Sequence, residues 1–171
     1  KRINPPGLDY GSWKPETHGS SMYIDGNGDY LSHNDIGMSG LNDFTVEAWV
    51  YPAGGFKSYA NSVYGSGPSA NLAGTFIYYG WSSNGTAHMF SNKSNNSTPA
   101  VEGSAGDIVL DRWQHVAFVR ASNQASIYVN GIKVAGPTSM TGTMAAAPTG
   151  RAYIGTQSYA EGDVNRTIKG Y

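Results

Sequence analysis

Ten residues limit what this chain can fold into more than any others. Residues 43–52 read Asp-Phe-Thr-Val-Glu-Ala-Trp-Val-Tyr-Pro. Period-two alternation puts Phe44, Val46, Ala48 and Val50 on one face of a strand and Thr45, Glu47, Trp49 and Tyr51 on the other. Pro52 has no N–H to give to a ladder and so ends the strand. Another alternating stretch, Ser-Met-Tyr-Ile-Asp-Gly-Asn-Gly-Asp-Tyr-Leu at 21–31, precedes it across a turn-rich spacer.

Further strands follow at the intervals of an all-β fold. Residues 74–81 and 86–91 read as a hairpin around Asn84-Gly85. Residues 92–106 form a polar loop rich in Ser and Asn, and 112–120 give the next strand. The clearest hairpin lies in 126–134, where Asn130-Gly131 supplies the positive φ at both positions that a type I′ turn requires. Residues 135–150 read as a loop, 151–156 as a strand, and Ile-Lys-Gly-Tyr at 168–171 as the entry to one more. Residues 1–18 carry three prolines and no sustained period, so they are expected to be an irregular arm or linker, with Trp13 capping the domain or touching a neighbouring chain. No stretch of ten or more residues has a 3.6-residue apolar stripe, so helix content should be small.

Composition narrows the function classes. At 171 residues the chain is one domain's worth, long enough to bury about two-thirds of its unfolded surface. Charged residues make up only 13%, about half the usual share. With 23 glycines and many Ser, Asn and Tyr, this balance suits a turn-rich protein that is extracellular or on a virion surface. A net charge of −1 gives no electrostatic reason to expect nucleic acid or an anionic membrane as partner. The lack of cysteine excludes disulfides and Cys-ligated zinc. No apolar run approaches the ~20 residues that cross a bilayer, so membrane insertion is not expected. No signal-peptide pattern is present, and the first residue is Lys1, so a processed product or a segment of a longer protein is expected.

Five segments in order carry a resemblance. They are Tyr-Ile-Asp-Gly-Asn-Gly-Asp-Tyr-Leu, Asp-Phe-Thr-Val-Glu-Ala-Trp-Val-Tyr-Pro, Trp-Gln-His-Val-Ala-Phe-Val-Arg, Ile-Tyr-Val-Asn-Gly and Tyr-Ile-Gly-Thr. Together they resemble the laminin-G-like branch of the concanavalin A-like lectin/glucanase superfamily, over about Ser20 to Tyr171. The resemblance implies an all-β, antiparallel two-sheet jelly-roll sandwich at 19–171, one sheet concave. In relatives the Lys-Gly-Tyr-like ending runs on into a final strand near the first, so here either the sequence stops short of that strand or another segment is expected to supply it.

The superfamily includes glycoside hydrolases, whose chemistry needs two carboxylates at a set separation. The hydrolase branch resembles Glu-x-Asp-x-Glu, and this sequence has no such run: Glu47 shares its face with Thr45 and Trp49. The bland reading of Glu47 is a strand residue bonded to a neighbouring strand, and of His115 a structural hydrogen-bonder. No enzyme is expected. Asp25, Asn27 and Asp29 begin like an oxygen-ligand calcium loop, but Tyr30 stands where an EF-hand needs glycine, and a plain glycine-rich turn is the simpler reading. A structural calcium completed by acids such as Asp107 or Asp163 is the alternative, and no other cofactor is expected. For sugars, aromatic rings stack on the apolar face of a pyranose while polar groups fix its hydroxyls. Tyr59, Tyr79, Trp81, His88 and Asn92 are the candidate glycan-binding residues, against a reading in which the same aromatics pack in the core. The Asn-x-Ser/Thr triplets at Asn84, Asn92, Asn95, Asn96 and Asn165 reflect polar loops as readily as glycan acceptors.

The sequence thus leads to a non-catalytic recognition or adhesion module, a lectin-like part of a larger virion-surface or secreted protein, binding glycan or a neighbouring subunit. The alternative is a structural assembly or decoration domain in a multi-subunit particle or homo-oligomer; a degenerate glycoside hydrolase is the weakest reading.

Overall fold

A computed structural model describes residues 20–34, 43–56, 60–66, 75–81, 88–90, 101–141, 151–156 and 167–171. All regular structure among them is β-strand. In chain order the strands are β1 (Ile24–Asp25), β2 (Leu31–Asn34), β3 (Phe44–Val50), β4 (Ala60–Ser66), β5 (Thr75–Trp81), β6 (His88–Phe90), β7 (Val101–Glu102), β8 (Gln114–Ala121), β9 (Gln124–Val129), β10 (Ile132–Ser139), β11 (Arg151–Ile154) and β12 (Lys169–Gly170). No helix among the described residues is long and apolar enough to cross a membrane.

One sheet has the order β2-β11-β4-β5-β6-β7 and the other β10-β9-β8-β3, with every pair antiparallel. The two-stranded ladder β1-β12 continues the second layer. Tyr51 and Tyr171 exchange both backbone hydrogen bonds, at 2.7 and 3.1 Å, and the Ala53 N–H donates to the Lys169 carbonyl at 2.9 Å. Pro52 lies between these donors and bridges Gly170. Its own carbonyl accepts from the Asp111 N–H at 2.9 Å. The ladder asks for no N–H at that position, so proline is tolerated there. The N-terminal β1 and the C-terminal β12 therefore join the layer beyond β3.

The alternation of β3 appears in its burial. Phe44, Val46, Ala48 and Val50 pack against the core, and Thr45, Glu47 and Trp49 are exposed. The partner β8 buries Val116 and Phe118 completely, and β9 buries Ala125 and Ile127. Ile77 of β5 and Ala152 of β11, both fully buried, meet them from the opposite sheet. Two turns fix the meander β8-β9-β10. Asn130 and Gly131 have φ of 51° and 73°, as the sequence predicts for the β9-β10 turn. Ser122 and Asn123 take φ of 50° and 61° in the β8-β9 turn, where the Ser122 N–H donates to the Asp43 carboxylate at 2.9 Å. Gln114 points inward and is fully buried. Its side-chain amide donates to the Val109 carbonyl at 2.7 Å and accepts from the Val109 N–H at 3.0 Å, tying down the loop that leads into β8. A buried amide satisfied on both sides carries no desolvation penalty for a missing partner.

Three segments depart from the sequence expectation. β4 has no counterpart among the strands read from the sequence, yet it is a central strand and Asn61, Ser62, Val63 and Tyr64 are all buried. Burial on both faces removes the alternation that would have marked it. β7 lies inside the predicted loop 92–106, but two residues are too few to show a period. β10 runs through Pro137 into the predicted loop 135–150. It is an edge strand with register shifts on either side of Ala135, which is where a strand accepts proline. The expected Asn84-Gly85 turn lies outside the described residues.

Two substitutions probe this architecture. Phe118→Ala, at a fully buried ring, should cost about 3–5 kcal/mol in denaturant unfolding. Gly170 has φ of 138°, and a Cβ there would overlap the Tyr51 carbonyl oxygen. Gly170→Ala should therefore cost roughly 2–4 kcal/mol and unpair 51–53 from 169–171. Hydrogen exchange at the Tyr51 and Ala53 amides checks this, and unchanged protection would contradict the pairing described.

Candidate functional site

The sequence-derived glycan residues are only partly placed. Tyr79 and Trp81 lie in β5 and His88 in β6, on adjacent strands of one sheet. The backbone of Trp81 pairs with Ala60, and that of His88 with Tyr78 and Glu102. The β4-β5 register shifts between the Ala60 and Ser62 pairings, where two steps of β4 meet three of β5. Simple alternation from the buried Ile77 consequently does not extend to Trp81. Tyr59 and Asn92, and the side chains of Tyr79, Trp81 and His88, lie outside the described residues, as do residues 1–18.

The Asp25-Asn27-Asp29 segment is a turn leaving β1. The Asn27 N–H donates to Asp25 Oδ1 at 2.6 Å, and the Asp25 N–H reaches Asp29 Oδ2 at 3.4 Å. Gly26 and Gly28 take φ of 80° and 96°. The side-chain oxygens of both acids thus face N–H groups of their own turn, an Asx arrangement. Among the described residues, no group of three or more His, Cys, Asp or Glu is placed to hold a metal ion.

The described side chains converge elsewhere, on the outward face of the layer formed by β8, β3, β12 and β1. Alternation on β3 sends Glu47, Trp49 and Tyr51 to this face. The register Trp49↔His115 puts His115 beside them. His115 Nε2 lies 3.4 Å from Glu47 Oε2, and its ring centroid is 5.4 Å from that of Trp49. The strand-bonded reading of Glu47 therefore describes a His115 contact across β3-β8. His115 is half-buried and Glu47 mostly exposed, so an ion pair here would be worth little.

One step along, Tyr51, Tyr171 and Tyr23 form a row across three chain segments, with Trp113 packed against the first two. Tyr51 is 5.7 Å from Trp113 and 6.1 Å from Tyr171, and Tyr171 is 5.0 Å from Tyr23. Trp113 also lies 6.0 Å from Tyr171. Trp113 is 8% exposed and forms the base. Trp49 at 53%, Tyr23 at 47% and Tyr171 at 43% present their rings to solvent. The opening strand pattern already puts Trp49 and Tyr51 on one face. The addition of Tyr23 and Tyr171 depends on the β1-β12 pairing, which no local signal in the sequence reveals.

A laminin G family model, described as the concanavalin A-like lectin/glucanases superfamily, matches residues 25–171. No curated protein matches the sequence. Among solved structures, domain 4 of AbnA, an extracellular GH43 arabinanase from Geobacillus stearothermophilus, in complex with arabinotriose, is similar with a TM-score of 0.59 and 18% identity, over 86% of this chain and 65% of that one. The CBM40 of Ruminococcus gnavus IT-sialidase bound to alpha2,3 sialyllactose gives 0.64 and 13%, over 87% and 83%. Mouse laminin alpha1 domains LG4-5 give 0.53 and 12%, over 86% and 38%. At these identities the likeness is one of fold.

The geometry of the β1 turn generates a test. Asp25→Ala should cost about 0.5–1.5 kcal/mol through the lost N–H contact, equally with calcium and with chelator. A melting temperature that rises with calcium in the parent and not in the variant would instead mark the turn as the cation site its spacing suggests.

Proposed function

We propose that this chain, which belongs to the concanavalin A-like lectin/glucanases superfamily, is a non-catalytic glycan-recognition module of a larger secreted or surface-displayed protein. The observation that carries this reading is the grouping of the exposed Trp49, Tyr171 and Tyr23 with the half-buried Tyr51 beside the polar pair Glu47 and His115. Aromatic faces offer the apolar side of a sugar ring a partner, and adjacent carboxylate and imidazole groups can bond its hydroxyls. The rings sit on hydrogen-bonded strands, so little side-chain and backbone freedom is lost when a ligand settles.

The fold relatives support the class. One is bound to arabinotriose and another to alpha2,3 sialyllactose. Glycoside hydrolysis asks for two carboxyl groups flanking the scissile bond, and Glu47 is accompanied on its strand face by Thr45, Trp49 and Tyr51 rather than by another acid. Tyr59, Tyr79, Trp81, His88 and Asn92 are proposed as a further contact region. A virion setting and an assembly role through residues 1–18 are carried by no described side chain.

Screening the protein on a glycan array, followed by titration of any hit, tests the reading. Binding that weakens about tenfold or more in Trp49→Ala, with no polysaccharide turned over by the parent protein, is the expected result. Turnover abolished by Glu47→Gln would replace it with an enzyme.

A further inference from the structure

We infer that the ligand of the β3-β12-β1 face is a single uncharged saccharide chain of at least three units, lying across the strands rather than along them. The inference rests on the glycan-recognition reading and adds the class of glycan and its direction.

The direction follows from where the rings stand. Tyr51 follows β3, Tyr171 follows β12 and Tyr23 precedes β1, so they line up perpendicular to the strands. The row of Tyr51, Tyr171 and Tyr23 covers two strand spacings, or about 10 Å, and the buried Trp113 packs against the first two rings. A sugar repeat along an extended chain is close to the strand spacing of about 5 Å, so such a row matches about three units. A site for a single terminal sugar would instead be a concave pocket that buries most of its ligand.

The ring angles decide between a single chain and a flat crystalline surface. Tyr51 and Tyr171 are inclined at 85°, Tyr23 and Tyr171 at 50°, and Trp49 and His115 at 56°. Rings so inclined cannot all lie flat on one plane of packed chains. A lone chain, free to rotate at each linkage, can meet them in turn.

Charge argues for a neutral ligand. Asp25 is paired in register with Lys169, beside the Tyr23-Tyr171 contact. Glu47 occupies the same cross-strand line as Ala117, Tyr128 and Lys133. Among the described residues, two acids and two lysines leave this face without the cationic cluster that would favour a carboxylated or sulfated sugar over a neutral one.

Area argues against a protein partner seated on the rings alone. At 53%, 47% and 43% exposure, three side chains of this size offer on the order of 300 Å². Stable protein interfaces need ~800 Å² from each partner. The patch suits a small ligand.

The experiment is calorimetric titration of the whole chain with linear arabino-, xylo-, manno- and gluco-oligosaccharides of one to six units, with sialyllactose as the anionic comparator. One neutral series should bind with a Kd that falls tenfold or more between one and three units and little beyond four. Trp49→Ala and Tyr171→Ala, each checked for a parental circular dichroism spectrum, should weaken the trimer at least tenfold. Trp49→Phe should recover most of the loss, and Leu31→Ala, at an exposed side chain of the other sheet, should change it less than twofold. Equal affinity for monomer and trimer, preference for sialyllactose, or retention on crystalline cellulose overturns the inference. Loss confined to Tyr79→Ala or Trp81→Ala also overturns it but leaves the glycan-module reading standing. Failure of every glycan to bind removes both.

Discussion

The register of β3 against β8 is the constraint on which the rest depends. Seven consecutive pairs, from Phe44↔Arg120 to Val50↔Gln114, tie the two strands. Side chains alternate with a period of two, so a slip of one residue would send Val46, Ala48 and Val50 to solvent and bring Glu47 and Trp49 into the core. The apolar rows on both strands forbid that slip, because Val116 and Phe118 are fully buried from the β8 side. The same register that closes the interior also puts His115 against Trp49 and Glu47 outside.

Closure beyond β3 uses another device. After Val50 the chain stops pairing with β8 and takes Lys169–Tyr171 as its partner, with Pro52 at the changeover. Gly170 is the residue type that lets the two backbones come so close, since any Cβ there meets the Tyr51 carbonyl. This arrangement brings the first and last described strands, β1 and β12, together. It pairs the backbone of 51–53, just past β3, and so shields that stretch from pairing with another chain.

The aromatic row follows from those two features. Trp113 is held by the loop that Gln114 ties to Val109, Tyr51 by β3, and Tyr171 and Tyr23 by the β12-β1 ladder. Tyr51, Tyr171 and Tyr23 each extend a hydrogen-bonded strand, which suits recognition by stacking: neighbouring rings keep fixed separations and inclinations. The proposed chain-binding face is therefore tied to the fold's closure, and anything that disturbs the C-terminal pairing should disturb the ligand face with it.

Much of this was legible in the sequence, and for identifiable reasons. Where a strand has one face in the core and one in water, as in β3, the alternation of residues states both its existence and its orientation. Where a turn needs positive φ, Asn130-Gly131 states that too. β4 was illegible because its residues are buried on both sides, so the period vanished, and β7 because two residues carry no period. The outward position of Trp49, Glu47 and Tyr51 was determined locally. Their grouping with His115, Tyr171 and Tyr23 was decided only by tertiary structure. It depends on hydrogen-bonded pairing between segments far apart in the chain, and local propensity carries no information about which distant segment a strand edge will choose.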